Sequence, residues 1–361
     1  MIIYLIVLTL AILNFSIQQR KEIRILNLFL FVFMMLVCAM RAEGVGSDTV
    51  RYLYSFARIN ELQGRESLEF VYKSVVVFFS GLSFSPQGIQ FILSLIAYSA
   101  FYKLFIKYSG NIALAILLFI ISSNAYFSES FNIVRQICAT PFILLSILSI
   151  RDRAFVKSVF YMIIGIGFHM SSLIFIPVIF FAYYVKINYK IVLIASLSSF
   201  LFAIISASNE FVVNMLEAVM PAISNSRLSD LDKYSGYTNY LIDFNRSLNG
   251  LLYLILPHTF ICVFTYKRMN GDFISRIYFI GVVIFNLISA MPTGYRMVYA
   301  LTALELIILP CLWVSTYNKD YNIKYTRRCI VVIVMALVLG YIYILMTKGE
   351  QARLIPYSIF Y

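Results

Sequence analysis

Apolar residues recur along the chain in runs of roughly 15 to 20, close to the length that crosses a bilayer core as a helix, and short stretches rich in Lys, Arg, Asn and Ser separate them. A lipid environment supplies no water for open backbone groups, so such runs must be helical. The pattern predicts an all-α, polytopic integral membrane protein of about 12 transmembrane helices. They are expected near Ile2–Ile17, Ile25–Met40, Gly88–Ile106, Ile112–Tyr126, Asn132–Ile150, Phe155–Phe168, Met170–Val185, Ile191–Ala207, Leu248–Tyr266, Ile277–Met291, Arg296–Thr316 and Cys329–Met346. The first run has no basic residue before it and no small-residue cleavage pattern after it, so it reads as a retained helix. A further apolar stretch, 68–82, reads as a re-entrant or interfacial helix, because a full crossing there would invert every later loop. Its Glu69 and Lys73, four residues apart, share one helical face, which suits a cavity wall better than lipid.

Composition sharpens this picture. Of 361 residues, 61% are hydrophobic and 13% charged, more apolar surface than a water-soluble domain can bury. The net charge of +12 is not gathered in one stripe, so nucleic acid is not an indicated partner. Instead, seventeen of the 29 Lys and Arg, Arg20 and Lys21 through Arg327 and Arg328, fall in alternate short loops beside only four acids. That asymmetry makes those loops cytoplasmic and places both termini outside. The whole chain, 1–361, is then one polytopic membrane domain with two long outer loops, 41–67 and 208–247. The five cysteines lie in or at the edges of apolar runs without a C-x-x-C spacing, so neither a disulfide framework nor a metal site is indicated. No Walker loop, dinucleotide fingerprint or H-E-x-x-H occurs.

The polar residues invested in the outer face direct attention there. In Arg41-Ala-Glu-Gly-Val-Gly-Ser-Asp48-Thr-Val-Arg51-Tyr52, two glycines permit a tight turn and Ser47 and Asp48 suit a helix N-cap. A capped helix with a local Asp–Arg pair accounts for this segment equally well. Asn132, Arg135 and Gln136 share a helical face at an outward amino end, whose partial positive charge adds to the guanidinium, and Pro141 further in bends the span. His169, one of two histidines, falls at the same depth among Ser171 and Ser172. Met291-Pro-Thr-Gly-Tyr295-Arg296 opens a third outward helix start. Glu305, nine residues beyond Arg296, lies on the opposite helical face and is expected either to meet another helix or to be neutral by protonation, in a structural or coupling role. His258, inside a span, is read as structural.

Cations and helix amino ends converging at one interface suit a diphosphate on a lipid carrier. In glycosyl transfer from such a carrier, arginines stabilise the departing diphosphate, and a His or carboxylate accepts the proton of the attacking hydroxyl.

Four short motifs in order, Gly46-x-Asp48-Thr49 with Tyr52, Glu69-Phe70, Phe131-Asn132-x-x-Arg135-Gln136 and Phe168-His169-x-Ser171, resemble the EpsG family of exopolysaccharide polymerases, related in role to Wzy O-antigen polymerases. The resemblance covers residues 40 to 185 in motifs and the remainder in hydropathy; Arg227, Arg246 and Arg296 have no motif counterpart. It implies an inverting, metal-independent glycosyltransferase without cofactor, at the periplasmic or exterior face of a bacterial inner membrane. Its substrates would be undecaprenyl-diphosphate-linked oligosaccharide repeat units, its surroundings membrane lipid, and a chain-length regulator is left open as a partner. The products would be O-antigen, capsule or exopolysaccharide.

On this reading Arg135 and Arg296 bind diphosphate, His169 or Asp48 accepts the proton, and Arg41, Arg51, Tyr52, Glu69, Asn132 and Gln136 position the substrates. A flippase or transporter for the same lipid-linked glycan, or an O-antigen ligase, is the competing expectation. Transporters show related halves and charges along a central path, whereas this chain gathers its outer charges at one face.

Overall fold

The computed structural model describes residues 1–18, 23–59, 69–208, 248–289, 294–315, 322–348, 354 and 357–359. Among these residues the chain is all helical, with one isolated bridge between Arg41 and Ile359. Four helices are long and apolar enough to cross a membrane: Pro86–Tyr108, Val134–Arg151, Tyr189–Ser206 and Ile323–Thr347. Shorter apolar helices accompany them. The chain divides into two compact units, Met1–Leu173 with Leu306–Tyr361, and Ile174–Glu305.

In the first unit, α1 (Ile2–Ile17) packs on α2 (Arg24–Ala39). An amphipathic α3 (Thr49–Ala57) and α4 (Phe70–Gly81) lead to α5 (Pro86–Tyr108). Pro86 opens α5, where its missing N–H is not needed, and the Ser85 hydroxyl accepts the Gly88 N–H. α6 covers only Ile112–Ile121, about 15 Å of rise and half the bilayer core. The expected span to Tyr126 stops there, and the chain turns at Ala125, which adopts a left-handed conformation. Segment 122–133 then runs irregularly through α7 (Tyr126–Glu129), and most of it is buried, the condition under which non-helical backbone is tolerated at membrane depth.

The following helix, α8, begins at Val134 and ends at Arg151, so Asn132 lies in the turn before it and not on its face as the spacing suggested. Asparagine favours such a turn because its short amide bonds to nearby backbone. α9 (Phe155–Phe168) packs closely on α8 and also touches α4. The expected Met170–Val185 helix is divided into a 3-10 turn, Met170–Ile174, and α10, Phe175–Tyr184.

The second unit holds α10, α11 (Tyr189–Ser208), α12 (Leu248–Arg268) and α13 (Phe273–Ile288), tied by the Asn286 amide donating to Ser199 Oγ at 3.0 Å and Thr259 Oγ1 at 3.1 Å. The continuous helix expected over Arg296–Thr316 is broken into α14 (Gly294–Met297), α15 (Tyr299–Thr302) and α16 (Glu305–Val314). α17 (Ile323–Lys348) returns to the first unit, beside α6. Outer-loop residues 60–67 and 209–247, with Arg227 and Arg246, lie outside the described residues.

Basic ends collect at one end of the first unit. Lys107 Nζ stands 3.7 Å from Asp152 Oδ2, Tyr108 donates to the same oxygen at 2.9 Å, and Arg151 lies over the Tyr108 ring. Arg135 is at the other end of α8, about 25 Å away at 1.5 Å per residue.

Candidate functional site

Three helix ends meet where α8 starts. Glu69 is the residue before α4, His169 the residue after α9, and Arg135 belongs to the first turn of α8. Arg135 Nη1 donates to Glu69 Oε2 at 2.8 Å, and His169 Nδ1 lies 3.3 Å from Glu69 Oε1. The Met170 N–H approaches the same Oε1 at 3.5 Å. Glu69 does not cap its own helix, since its side chain is committed to these partners. Lys73, which shares its sequence spacing, takes no part in the ion pair.

The Glu69 side chain is 9% exposed, against 32% for Arg135. Burial opposes ionisation of the carboxyl, but the His169 hydrogen bond and the Arg135 charge outweigh it, and its pKa falls to about 2. The carboxylate is therefore anionic throughout the neutral range. Arg135 donates to Glu69 through Nη1, its side chain is 32% exposed, and its Nε and Nη2 edge takes no part in that ion pair. That edge has the fork geometry suited to a phosphate.

Tyr72, which the motif reading did not single out, is 1% exposed and lies beneath Arg135, with the guanidinium carbon 5.8 Å from its ring centroid. Its place three residues after Glu69, on the same helical face, was the available signal. Two glycines were also missed. An ideal Cβ on Gly167 would lie 2.3 Å from Val71 Cγ2 and 2.6 Å from Phe70 Cζ, on α4. One on Gly165 would lie 2.5 Å from Ile143 Cδ1, on α8. Two residues apart, they face about 200° from each other, so α9 fits between α8 and α4 only because both lack a side chain. A Gly-x-Gly inside an apolar helix was the signal for this close approach.

The first outer loop is pinned to the turn before α8. Gly46 adopts φ +88°, and any Cβ there would meet Phe131 O at 2.9 Å and Asn132 Oδ1 at 3.0 Å. The Asn132 Oδ1 accepts the Ser47 N–H at 2.7 Å and the Ser47 hydroxyl at 3.2 Å. Thr49 donates to Val45 O at 2.6 Å and also lies 3.3 Å from Phe131 O. Arg41 is 1% exposed and donates to Thr49 Oγ1, Cys38 O and Phe131 O, so its guanidinium is turned into the protein to hold this junction.

Asp48 precedes α3, where its carbonyl accepts the Tyr52 N–H, but its side chain makes no capping bond. Arg51 is exposed and Tyr52 half-buried on α3, the latter within electrostatic reach of Arg135. Gln136 is buried in the first turn of α8. Arg296 lies on α14 of the second unit, half-buried, and Met291 to Thr293 fall outside the described residues. In that unit Glu305 meets two other helices, as expected, although the break between α14 and α16 removes the shared helical face on which that expectation rested: its Oε2 lies 2.9 Å from His258 Nδ1 and accepts the Tyr278 hydroxyl at 3.1 Å. Among the described residues no group of three His, Cys, Asp or Glu comes together that could hold a metal ion.

Comparison with known proteins bears on this arrangement. Neither the curated proteins nor the solved structures yield a match to the chain. The EpsG family model, however, matches residues 24–359, a range that contains the pinned loop, Glu69, Arg135 and His169 together. With that match running through nearly all of an apolar helical chain, the protein belongs to the EpsG family of polysaccharide-related membrane proteins.

Proposed function

We propose that this protein is a polysaccharide polymerase, an inverting, metal-independent glycosyltransferase at the outer face of the bacterial cytoplasmic membrane. It transfers a growing glycan from undecaprenyl diphosphate to the next lipid-linked oligosaccharide repeat unit. The observation that carries the reading is the Glu69 carboxylate held between Arg135 and His169. A carboxylate facing Nδ1 favours the tautomer with the proton on that nitrogen, leaving the Nε2 lone pair as a base. The acceptor hydroxyl attacks the anomeric carbon of the donor sugar and passes its proton to His169 Nε2. The bond from that carbon to the diphosphate oxygen breaks, and the departing undecaprenyl diphosphate takes the electron pair. Its charge is stabilised by the Nε and Nη2 edge of Arg135 and the amino end of α8.

Glu69 in this scheme positions both partners and does not itself meet substrate. The contact with Glu69 favours His169 over Asp48 as proton acceptor. Arg296 is assigned to diphosphate binding on its chemistry alone. The positive-inside rule turns the Lys107 and Arg151 end to the cytoplasm, so the Arg135 end faces out, with about 12 spans and both termini outside.

Transport is the second reading, and one observation favours it: a buried ionisable pair, His258 and Glu305, 0% and 1% exposed, stands inside the second unit. Deletion separates the classes. Loss of a polymerase leaves single repeat units attached to the acceptor, loss of a flippase leaves none outside, and loss of an O-antigen ligase leaves polymer on the carrier. Arg135→Ala should leave the protein in the membrane and stop chain lengthening; full-length polymer from that variant would refute the assignment.

A further inference from the structure

α3 carries two adjacent stripes of different character. Thr49, Leu53 and Phe56 are buried and seat the helix. Asp48, Arg51, Tyr52 and Ser55, spaced at three and four residues, form the neighbouring stripe; Arg51 is exposed and the other three half-buried. A carboxylate, a guanidinium, a phenol and a hydroxyl thus lie along one face of a short helix.

The phenol is the fixed member. Tyr52 stacks on Phe56, with ring centroids 6.2 Å apart and planes at 28°. Phe56, 2% exposed, lies 6.4 Å from the buried Tyr72 ring, and Tyr72 in turn supports Arg135 at 5.8 Å. An aromatic column therefore runs from beneath the Arg135 guanidinium to a half-buried ring on α3. The helix cannot drift from that register, because Thr49 and Gly46 at its start are locked against Phe131 and Asn132, immediately before α8.

We propose that this stripe of α3, centred on Tyr52, binds the sugar ring joined directly to the diphosphate of the lipid-linked substrate. The proposal rests on the assignment of Arg135 to the diphosphate. An aromatic face offers a pyranose its C–H surface, and flanking Asp and Arg groups have the planar hydrogen-bonding capacity that sugar hydroxyls require. The polyprenyl tail is the poorer match, since the neighbours of Tyr52 on this stripe are polar. The sugar occupies the aromatic ring while the phosphates occupy the cation at the other end of the column, three contacts away and within electrostatic reach of Tyr52.

The test compares two ligands on the full-length protein in liposomes. One is undecaprenyl-diphosphate-linked oligosaccharide extracted from a host strain lacking the protein; the other is bare undecaprenyl diphosphate. Tyr52→Leu should weaken oligosaccharide binding about tenfold and change binding of the bare diphosphate by less than about twofold. Tyr52→Phe should retain both, and Ser55→Trp, which adds bulk to the same stripe without removing the ring, should block the oligosaccharide alone. Equal weakening of both ligands by Tyr52→Leu, or no effect of either Tyr52→Leu or Ser55→Trp on the oligosaccharide, overturns the proposal. Arg135→Ala should weaken both ligands. If it weakens neither while Tyr52→Leu remains selective, the phosphate assignment falls and the sugar face stands.

Discussion

Gly167→Ala inserts one methyl group between α9 and α4, and its consequence can be followed to the geometry of the candidate site. The added Cβ would sit 2.3 Å from Val71 Cγ2, whereas carbon atoms in ordinary contact are about 3.5 to 4.0 Å apart. Phe70, the other neighbour, is an exposed ring that can swing aside. Val71 is β-branched and held at χ1 by its own helix, so the first turn of α4 must shift by about 1 Å. Glu69 is the residue immediately before that turn and moves with it. Its 3.3 Å approach to His169 then opens beyond hydrogen-bond range and its 2.8 Å bond to Arg135 lengthens, while Arg135 itself, carried on α8, keeps its place.

Overpacking of this kind costs about 1 to 3 kcal/mol, which a folded membrane protein can bear. Misplacing a catalytic group by about 1 Å costs on the order of a hundredfold in rate. Gly167→Ala should therefore lower kcat by about a hundredfold and leave donor KM nearly unchanged, measured as chain extension of lipid-linked repeat units in liposomes. Val71→Ala removes the obstructing Cγ2, and the double variant should recover most of the rate. Gly165→Ala is the internal control: it presses on the buried Ile143 of α8 and not on α4, so it should cost stability without displacing Glu69, and its effect on kcat should be several times smaller. A folded Gly167→Ala protein with wild-type kcat, or a folded double variant with no recovery, would show that the Glu69–His169 distance does not govern the chemistry.

Other consequences are checked more directly. Glu69→Gln keeps the shape and removes the charge, so it should lower thermal stability in detergent by roughly 1.5 to 3 kcal/mol at neutral pH. The native carboxyl pKa near 2 lies below its ordinary value of 4.5. The stabilisation is thus complete above about 4.5 and lost as pH falls toward 2, and the difference between wild type and Glu69→Gln should shrink over that window; a constant difference would contradict the pairing. Glu305→Ala leaves His258 and Tyr278 without their buried acceptor and should destabilise by about 3 to 5 kcal/mol, with Glu305→Gln milder and still able to elongate polymer. Elongation lost in a stable Glu305→Gln protein would move this pair from structure into function. Asn132→Ala removes the acceptor of the Ser47 N–H, so amide exchange at Ser47 should accelerate by at least about tenfold. Unchanged protection there would mean that the loop is held elsewhere.

The sequence periodicity located most helices because an apolar helix in lipid satisfies its backbone whatever surrounds it. It failed where the chain turns inside an apolar run. α6 ends at Ile121, ahead of a left-handed Ala125, and Asn132 leaves the helical face to bond the backbone of the opposite loop. Glu305 does find partners on other helices, as a carboxylate in an apolar run must, but the helical offset from Arg296 does not explain it, because the two residues stand on separate short helices.

The candidate site shows the same boundary between local and tertiary information. Each of Glu69, Arg135 and His169 stands out singly, as a charged or titratable group at the edge of an apolar run. Nothing local says that one carboxylate joins the other two, because their separation depends on two helix packings. That information is in the sequence only as the missing side chains of Gly165 and Gly167, which exert their effect through Ile143 and Val71 on other helices. Arg41 illustrates the converse. As an arginine beside a glycine-rich loop it has the look of an anion ligand, yet each of its three guanidinium nitrogens donates inside the fold, to Thr49, Cys38 and Phe131. The two guanidiniums beside the start of α8 thus differ in what lies within their reach: Arg41 meets two backbone carbonyls, whereas Arg135 meets the Glu69 carboxylate through one nitrogen.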